Sequence, residues 1–237
     1  MDRVAHIRTE EKKYHDHCFE HYTLFEPGSW LHKPVKTVMD LLEHFNDRRD
    51  LKVLDLGCGI GRNSIPLAEA LKNRNGKIVC VDLLGSAIEK LNDYSKEYGV
   101  QQGIETVLSD IESFDIKEAE YDAIIAVSAL EHVGSEEALT RKLHEMTVGT
   151  TLNGINFIII NSNVREVVIE SNLALEPMFE VNLSTDRLLE ILDQQYEGWE
   201  FLIRMVKPLV FEIDRNSIPV NLSADCITFE ARKICES

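Results

Sequence analysis

The chain has 237 residues, 44% of them apolar and 28% charged, with a formal net charge of −16. That length allows one large α/β domain or two small ones, each with a sizeable core. The acidic balance, with no Lys/Arg cluster, argues against nucleic acid or an anionic membrane as partner, since both would be repelled.

Five cysteines (Cys18, Cys58, Cys80, Cys226, Cys235) are widely spread with no C-x-x-C pair, so neither a zinc knuckle nor a disulfide framework is indicated. Cys80 and Cys226 alternate with apolar residues and read as buried strand thiols. The N-terminus lacks an apolar h-region, and no apolar run nears the roughly 18 residues of a membrane span. The expectation is a reduced, soluble, cytoplasmic protein, monomer or homodimer.

The first fifty residues form a helical lead-in. "YHDHCFEHYTLFEPGSW" (14–30) is rich in aromatics and histidines. "PVKTVMDLLEHF" (34–45) puts Val35, Val38, Met39, Leu42 and Phe45 on one helical face that can dock on a sheet. Strand and helix then alternate, the pattern of a doubly wound parallel sheet. "LKVLDL" (51–56), "GKIVCVDL" (76–83), "IETVLSD" (104–110), "YDAIIAVSAL" (121–130) and "INFIIINS" (155–162) read as strands. Helices are predicted over 62–73, over 86–98 with Gly99 as its stop, and after Ser135, which caps a helix with Leu139, Leu143 and Met146 inward. The tail differs: a helix over 184–195 precedes "WEFLIRMV" (199–206) and "ADCITFEAR" (224–232), an antiparallel pair at the sheet edge. One domain is the simplest organisation, with 1–50 a helical cap and 51–237 a Rossmann-like core.

"VLDLGCGIGRNS" (53–64) carries the chemistry. Gly57, Gly59 and Gly61 follow a strand and open a helix, where glycine lets the backbone turn sharply and approach a ligand. The dinucleotide fingerprint would need a glycine at position 62, which is Arg, and no G-K-[ST] follows. Asp82 ends the second strand, where a carboxylate can accept both ribose hydroxyls. Asp110 ends the third, where an adenine amine would lie, and Asp55 stands just before the turn. Three acids on one sheet edge would repel a pyrophosphate but hold a ligand carrying sulfonium and ammonium charge. The plainer alternatives are a turn with no ligand and aspartates that merely cap helices.

"VLDLGCGIGRNS", "CVDLLGSAIEKL", "VLSDIESF" and "YDAIIAVSALEHVG" together resemble the class I S-adenosylmethionine-dependent methyltransferases, from about residue 34 to the end. The resemblance implies a Rossmann-like, seven-stranded, mostly parallel sheet with an antiparallel last strand and an N-terminal helical lid. It implies S-adenosyl-L-methionine as cofactor and a small molecule as methyl acceptor. Gly57, Cys58 and Gly59 would contact the methionine part, Asp55 would hold its amino group directly or through water, and Asp82 would hold the ribose. Leu83 would pack on adenine, Asp110 and the Ile111 backbone would bind its edge, and Ser128 would lie near the methionine end. Within the family the chain most resembles the tellurite-resistance branch, through "LDLGCGIGRNS", "PMF" (177–179) and "YEGWE" (196–200). It departs from that branch at "SALEHVG".

Methyl transfer from a sulfonium is an in-line displacement, so a base is needed only for a protonated acceptor. Glu131 and His132 follow the fourth strand and are the catalytic candidates, with His132 as base; alternatively the pair ties down a loop. Tyr14, Phe19, Tyr22, Phe25 and Trp30 of the lead-in read as a lid over cofactor and acceptor, and Tyr14, Tyr22 and Trp30, with Phe179 in the connection over 164–183, are candidate acceptor contacts; rim packing is the alternative for the lead-in aromatics. His17 and His21 lie four apart beside Cys18, but no second ligand cluster accompanies them, and no metal is expected. Two further readings stay open: a non-catalytic S-adenosylmethionine-binding regulator, and an NAD-dependent oxidoreductase, which Arg62 disfavours.

Overall fold

A computed structural model describes residues 3–46, 48–215 and 218–235. Their strands are β1 (Lys52–Leu56), β2 (Lys77–Asp82), β3 (Ile104–Leu108), β4 (Tyr121–Val127), β5 (Thr150–Val168), the short β6 (Ala174–Leu175), β7 (Glu200–Arg215) and β8 (Ile218–Arg232). The sheet runs β3-β2-β1-β4-β5-β8-β7, with β6 paired to β5. β1 to β5 are mutually parallel, and β8 is antiparallel to both its neighbours. The expected mixed sheet with an antiparallel last strand is therefore the one that forms. The helices are α1 (Arg3–His21), α2 (Lys36–Asp40), α3 (Ser64–Leu71), α4 (Gly85–Glu97), α5 (Glu136–Gly149) and α6 (Thr185–Gln195).

Strand residues alternate between two buried faces. Leu54, Leu56, Ile124, Ala126, Ile158 and Ile160 pack with Leu139, Leu143 and Met146 of α5 and Leu188 and Ile191 of α6. Val53, Ala123, Ile125, Ile155 and Phe157 face the other way, onto Phe19, Val38, Ile65, Leu67 and Leu91 from α1 to α4. Both sides of the central strands are covered, which is why they read as unbroken apolar runs. Each Val, Leu, Ile, Met or Phe side chain among them contributes about 1.5–3 kcal/mol by leaving water. Tyr196 of "YEGWE" belongs to this core: it is fully buried, and its hydroxyl accepts a hydrogen bond from Asn156 Nδ2 at 3.0 Å.

The differences from expectation lie at the margins. The helix expected over 34–45 is α2 continued by a tighter 3₁₀ turn over Leu41–Phe45. Cys226 is only half-buried, whereas Cys80 is fully buried, and all five thiols are free. β5, β7 and β8 outrun their predicted bounds and form an antiparallel arm in which Arg165–Val168 pair with Val220–Ser223. Polar residues alternate with apolar ones there, because much of the arm is solvated, so the apolar signal fades before the pairing does. The connection after β5 consequently begins after Val168 rather than at 164. No helix among the described residues is long and apolar enough to cross a membrane.

β1 is the pivot. The chain winds from it to β2 and β3 on one side and to β4 and β5 on the other, opening a crevice at the strands' C-terminal ends where ligands of such sheets bind.

Candidate active site

A cavity of about 350 Å³ occupies that crevice. Its floor is the turn after β1. Gly57 and Cys58 donate their N–H groups to Val81 O at 2.9 and 3.1 Å. Gly57 has φ +74°, and a Cβ there would lie 2.5 Å from Ala129 Cβ. Gly59 has φ +53°, and the position of its absent Cβ is open, so glycine leaves a cradle where a side chain would intrude on a ligand.

Asp82 fastens this turn. Its Oδ2 accepts from Gly59 N–H at 2.8 Å and its Oδ1 from Leu84 N–H at 2.9 Å. Burial lifts its carboxyl above the usual range although those N–H groups pull it back. Gly57, Cys58, Gly59, Asp82, Leu83, Asp110, Ile111 and Ser128 all line the cavity. Ser128 holds φ +50° and donates its N–H to Ile159 O at 2.8 Å. Eight of the nine residues expected at the cofactor thus meet around one space.

Asp55 is the ninth, and it stands behind the wall rather than on it. It is 2% exposed and does not line the cavity. Its Oδ2 accepts the Ser64 hydroxyl, and burial pushes its carboxyl up to about 7. Direct contact with a ligand's amino group is not available to it in this arrangement, which leaves the water-mediated route of the two expected.

α1 closes the cavity opposite the turn. Arg8, Glu11, Lys12, His15 and Phe19, spaced three and four apart, present one face to it. Phe19 is one of the aromatics expected in the lid, whereas sequence reasoning missed Arg8, Glu11, Lys12 and His15, along with Arg62 and Glu180, which also line the space. The helix is anchored at both ends: Arg3 Nη2 donates to Phe179 O at 2.9 Å, and Ser86 Oγ donates to Asp16 Oδ1 at 2.5 Å. Arg8 Nη1 pairs with Asp110 Oδ2 at 2.8 Å, on the carboxylate expected to meet adenine. His15 Nδ1 is buried and has no hydrogen-bond partner, and burial lowers the ring's pKa.

The catalytic and acceptor candidates separate. Glu131 is fully buried away from the cavity, with Oε1 accepting from Asn161 Nδ2 at 2.9 Å. It faces the core rather than an acceptor, which corrects its expected placement. His132 does line the cavity, but its Nδ1 lies 3.0 Å from both Glu11 Oε2 and Glu180 Oε2. Burial alone would depress this ring; the two carboxylates outweigh that and carry it up to about 10. A ring already holding its proton at neutral pH does not serve as a base, and this corrects the expected role.

Trp30 lines the cavity, and Arg62 donates from Nη1 to its carbonyl at 2.9 Å while lying 5.3 Å from its ring. Tyr14 and Tyr22 are 54% and 38% exposed on other faces of the lead-in and do not line the space. Phe179 touches it only indirectly, stacked on His132 with centroids 5.7 Å apart. His17 and His21 stack on each other at 4.0 Å on the exposed side of α1, away from the buried Cys18.

Residues 53–148 match the family model of a methyltransferase domain. A ubiquinone biosynthesis O-methyltransferase of Rickettsia felis is 33% identical over 94 residues, 39% of this chain and 35% of that protein. An (S)-coclaurine N-methyltransferase of Thalictrum flavum is 32% identical over 109 residues, 44% of this chain and 29% of that protein. The chain spans about a third of the length of these curated relatives. Among solved structures, TehB from Haemophilus influenzae superposes with a TM-score of 0.62 at 24% identity, covering 84% of this chain and 62% of that one. The match to the methyltransferase-domain model over residues 53–148 thus falls on the segment that carries β1 to β4 and the glycine turn.

Proposed function

We propose that the chain transfers the methyl group of S-adenosyl-L-methionine to a small-molecule acceptor. One observation carries the reading: the Gly57–Gly59 turn is tied by backbone N–H to Asp82, with a glycine cradle open above it and Asp82 and Asp110 on the same rim. These residues suit an adenosyl ligand that carries positive charge and no phosphate. The bound cofactor would supply a methyl group on a sulfonium, already activated for displacement.

Everything else falls to the chain. The turn and Asp82 fix the cofactor's position, and α1 with Trp30 excludes water from the cavity. A protonated acceptor needs a group to take its proton, and His15 offers an unpartnered, buried Nδ1 inside that space. A soft acceptor such as a thiolate needs orientation alone. A cavity of about 350 Å³ suits a small acceptor rather than a polymer, and the net charge of −16 disfavours nucleic acid. The names of the relatives above point the same way. We infer further that residues 1–237 act as one domain, the lead-in being the cap of the core.

The test is transfer of radiolabelled methyl from S-adenosylmethionine to a panel of phenols, amines and thiols. Turnover on at least one class, lost in Asp82→Ala, supports the reading. Tight S-adenosylhomocysteine binding with no transfer to any class would favour the regulatory alternative.

A further inference from the structure

Beyond the cofactor turn, the cavity holds a group of side chains that the methyl-transfer reading does not use. Glu11, His132 and Glu180 bring one carboxylate oxygen each and Nδ1 within 4.8 Å of one another, the one such group among the described residues. The three come from separate places: α1, the turn after β4, and the connection after β6. We propose that Glu11, His132 and Glu180 form a binding site for a first-row divalent cation at the acceptor end of the cavity.

The geometry fits. Ligand atoms on adjacent positions of an octahedron, with bonds of about 2.1 Å, are about 3.0 Å apart. His132 Nδ1 lies 3.0 Å from Glu11 Oε2 and 3.0 Å from Glu180 Oε2. A single imidazole proton now sits where three donor atoms converge, and it serves two carboxylates at once. Two carboxylates with a neutral imidazole carry charge −2, which a divalent ion balances.

A second observation points the same way. The Glu180 side chain is fully buried, and its Oε1 has no hydrogen-bond partner. Arg8 Nε stands 3.6 Å from it, within ion-pair range but without a hydrogen bond, and has no other hydrogen-bond partner. A buried carboxylate oxygen that accepts no hydrogen bond is costly, and a bound cation supplies the missing partner. Its surroundings are already held: Arg3 Nη1 donates to Glu180 O at 3.4 Å, and the next residue, Val181, donates its N–H at 3.0 Å to the carbonyl of Glu131, the residue before His132. The segments that carry Glu180 and His132 are therefore tied together without the ion.

The donor set of two oxygens and one nitrogen selects Mn²⁺ or Zn²⁺ over Ca²⁺, which prefers oxygen alone. Three protein ligands leave open positions toward the cavity. An acceptor with two adjacent oxygens, such as a catechol or a hydroxy acid, can fill them; this consequence rests on the proposed methyl transfer, whereas ion binding does not.

The test is calorimetric titration of chelator-treated protein with Mn²⁺ and with Zn²⁺ at pH 8. The expected result is one site of micromolar Kd, weakened at least thirtyfold in Glu11→Gln and in Glu180→Gln and unchanged in the surface pair His17→Ala/His21→Ala. If Glu180→Gln fails to fold, Glu11→Gln, on a side chain that is 25% exposed, decides the matter. No saturable binding, or binding that the His17/His21 variant abolishes, overturns the proposal. S-adenosylhomocysteine binding is titrated separately on the same sample, so loss of the ion site and loss of the cofactor site are distinguishable.

Discussion

Asp55→Asn isolates the energetic consequence of placing an acid beneath the glycine turn. The carboxyl titrates at about 7 in the fold against 3.8 in an open chain, chiefly through burial. Its folded pKa is raised, so the stability it contributes is complete below 3.8 and is lost as pH rises through 7. At ~1.4 kcal/mol per pH unit, the fully ionised fold is weaker by about 4 kcal/mol, and about 3 kcal/mol of that falls between pH 5 and 8.5. Asparagine keeps the shape and can still accept the Ser64 hydroxyl, but it does not ionise. Urea unfolding of both proteins at pH 5 and pH 8.5 is the assay. The difference between variant and wild type should grow by about 3 kcal/mol toward alkaline pH, a midpoint change of about 1 M urea. Parallel pH dependence in the two proteins would mean that Asp55 is solvated or paired, and the burial argument would fall.

Other substitutions test the wall and the roof. Gly57→Ala places a Cβ 2.5 Å from Ala129 at φ +74°; a loss of about 2–4 kcal/mol, with abolished S-adenosylhomocysteine binding, is expected by thermal shift. Glu131→Gln should leave kcat within about threefold, since the side chain faces Asn161 and not the cavity; a hundredfold fall in kcat at unchanged fold would restore it as catalytic. His15→Phe keeps the ring packing on Phe19 and Trp30 but removes the free Nδ1. For a hydroxyl or amine acceptor, kcat should drop about a hundredfold or more with Kd for the cofactor product changed far less; full activity would exclude His15 as the base.

Much of the sheet and of the cavity wall was legible in the sequence, because glycine and aspartate at strand ends mark backbone needs that few residues meet. Gly57, Gly59, Asp82 and Asp110 belong to that class. α1 was not, because its working face is polar. Arg8, Glu11, Lys12 and His15 recur at helical spacing, yet hydrophobic periodicity is blind to a charged stripe. Counting aromatics selected Tyr14 and Tyr22 instead, and on a helix Tyr14 points about 100° away from His15. Glu131 and His132 show the same limit in a tighter turn. Neighbours on a 3₁₀ helix diverge by about 120°, so one faces the core and the other the cavity.

Calorimetric titration of S-adenosylhomocysteine into the chain and into Asp82→Ala tests the central claim most directly. The account predicts one site of micromolar Kd in the parent protein, weakened at least fiftyfold in the variant, which loses both the ribose carboxylate and the two backbone hydrogen bonds that hold the turn. No binding to the parent, or equal binding to both, would contradict it.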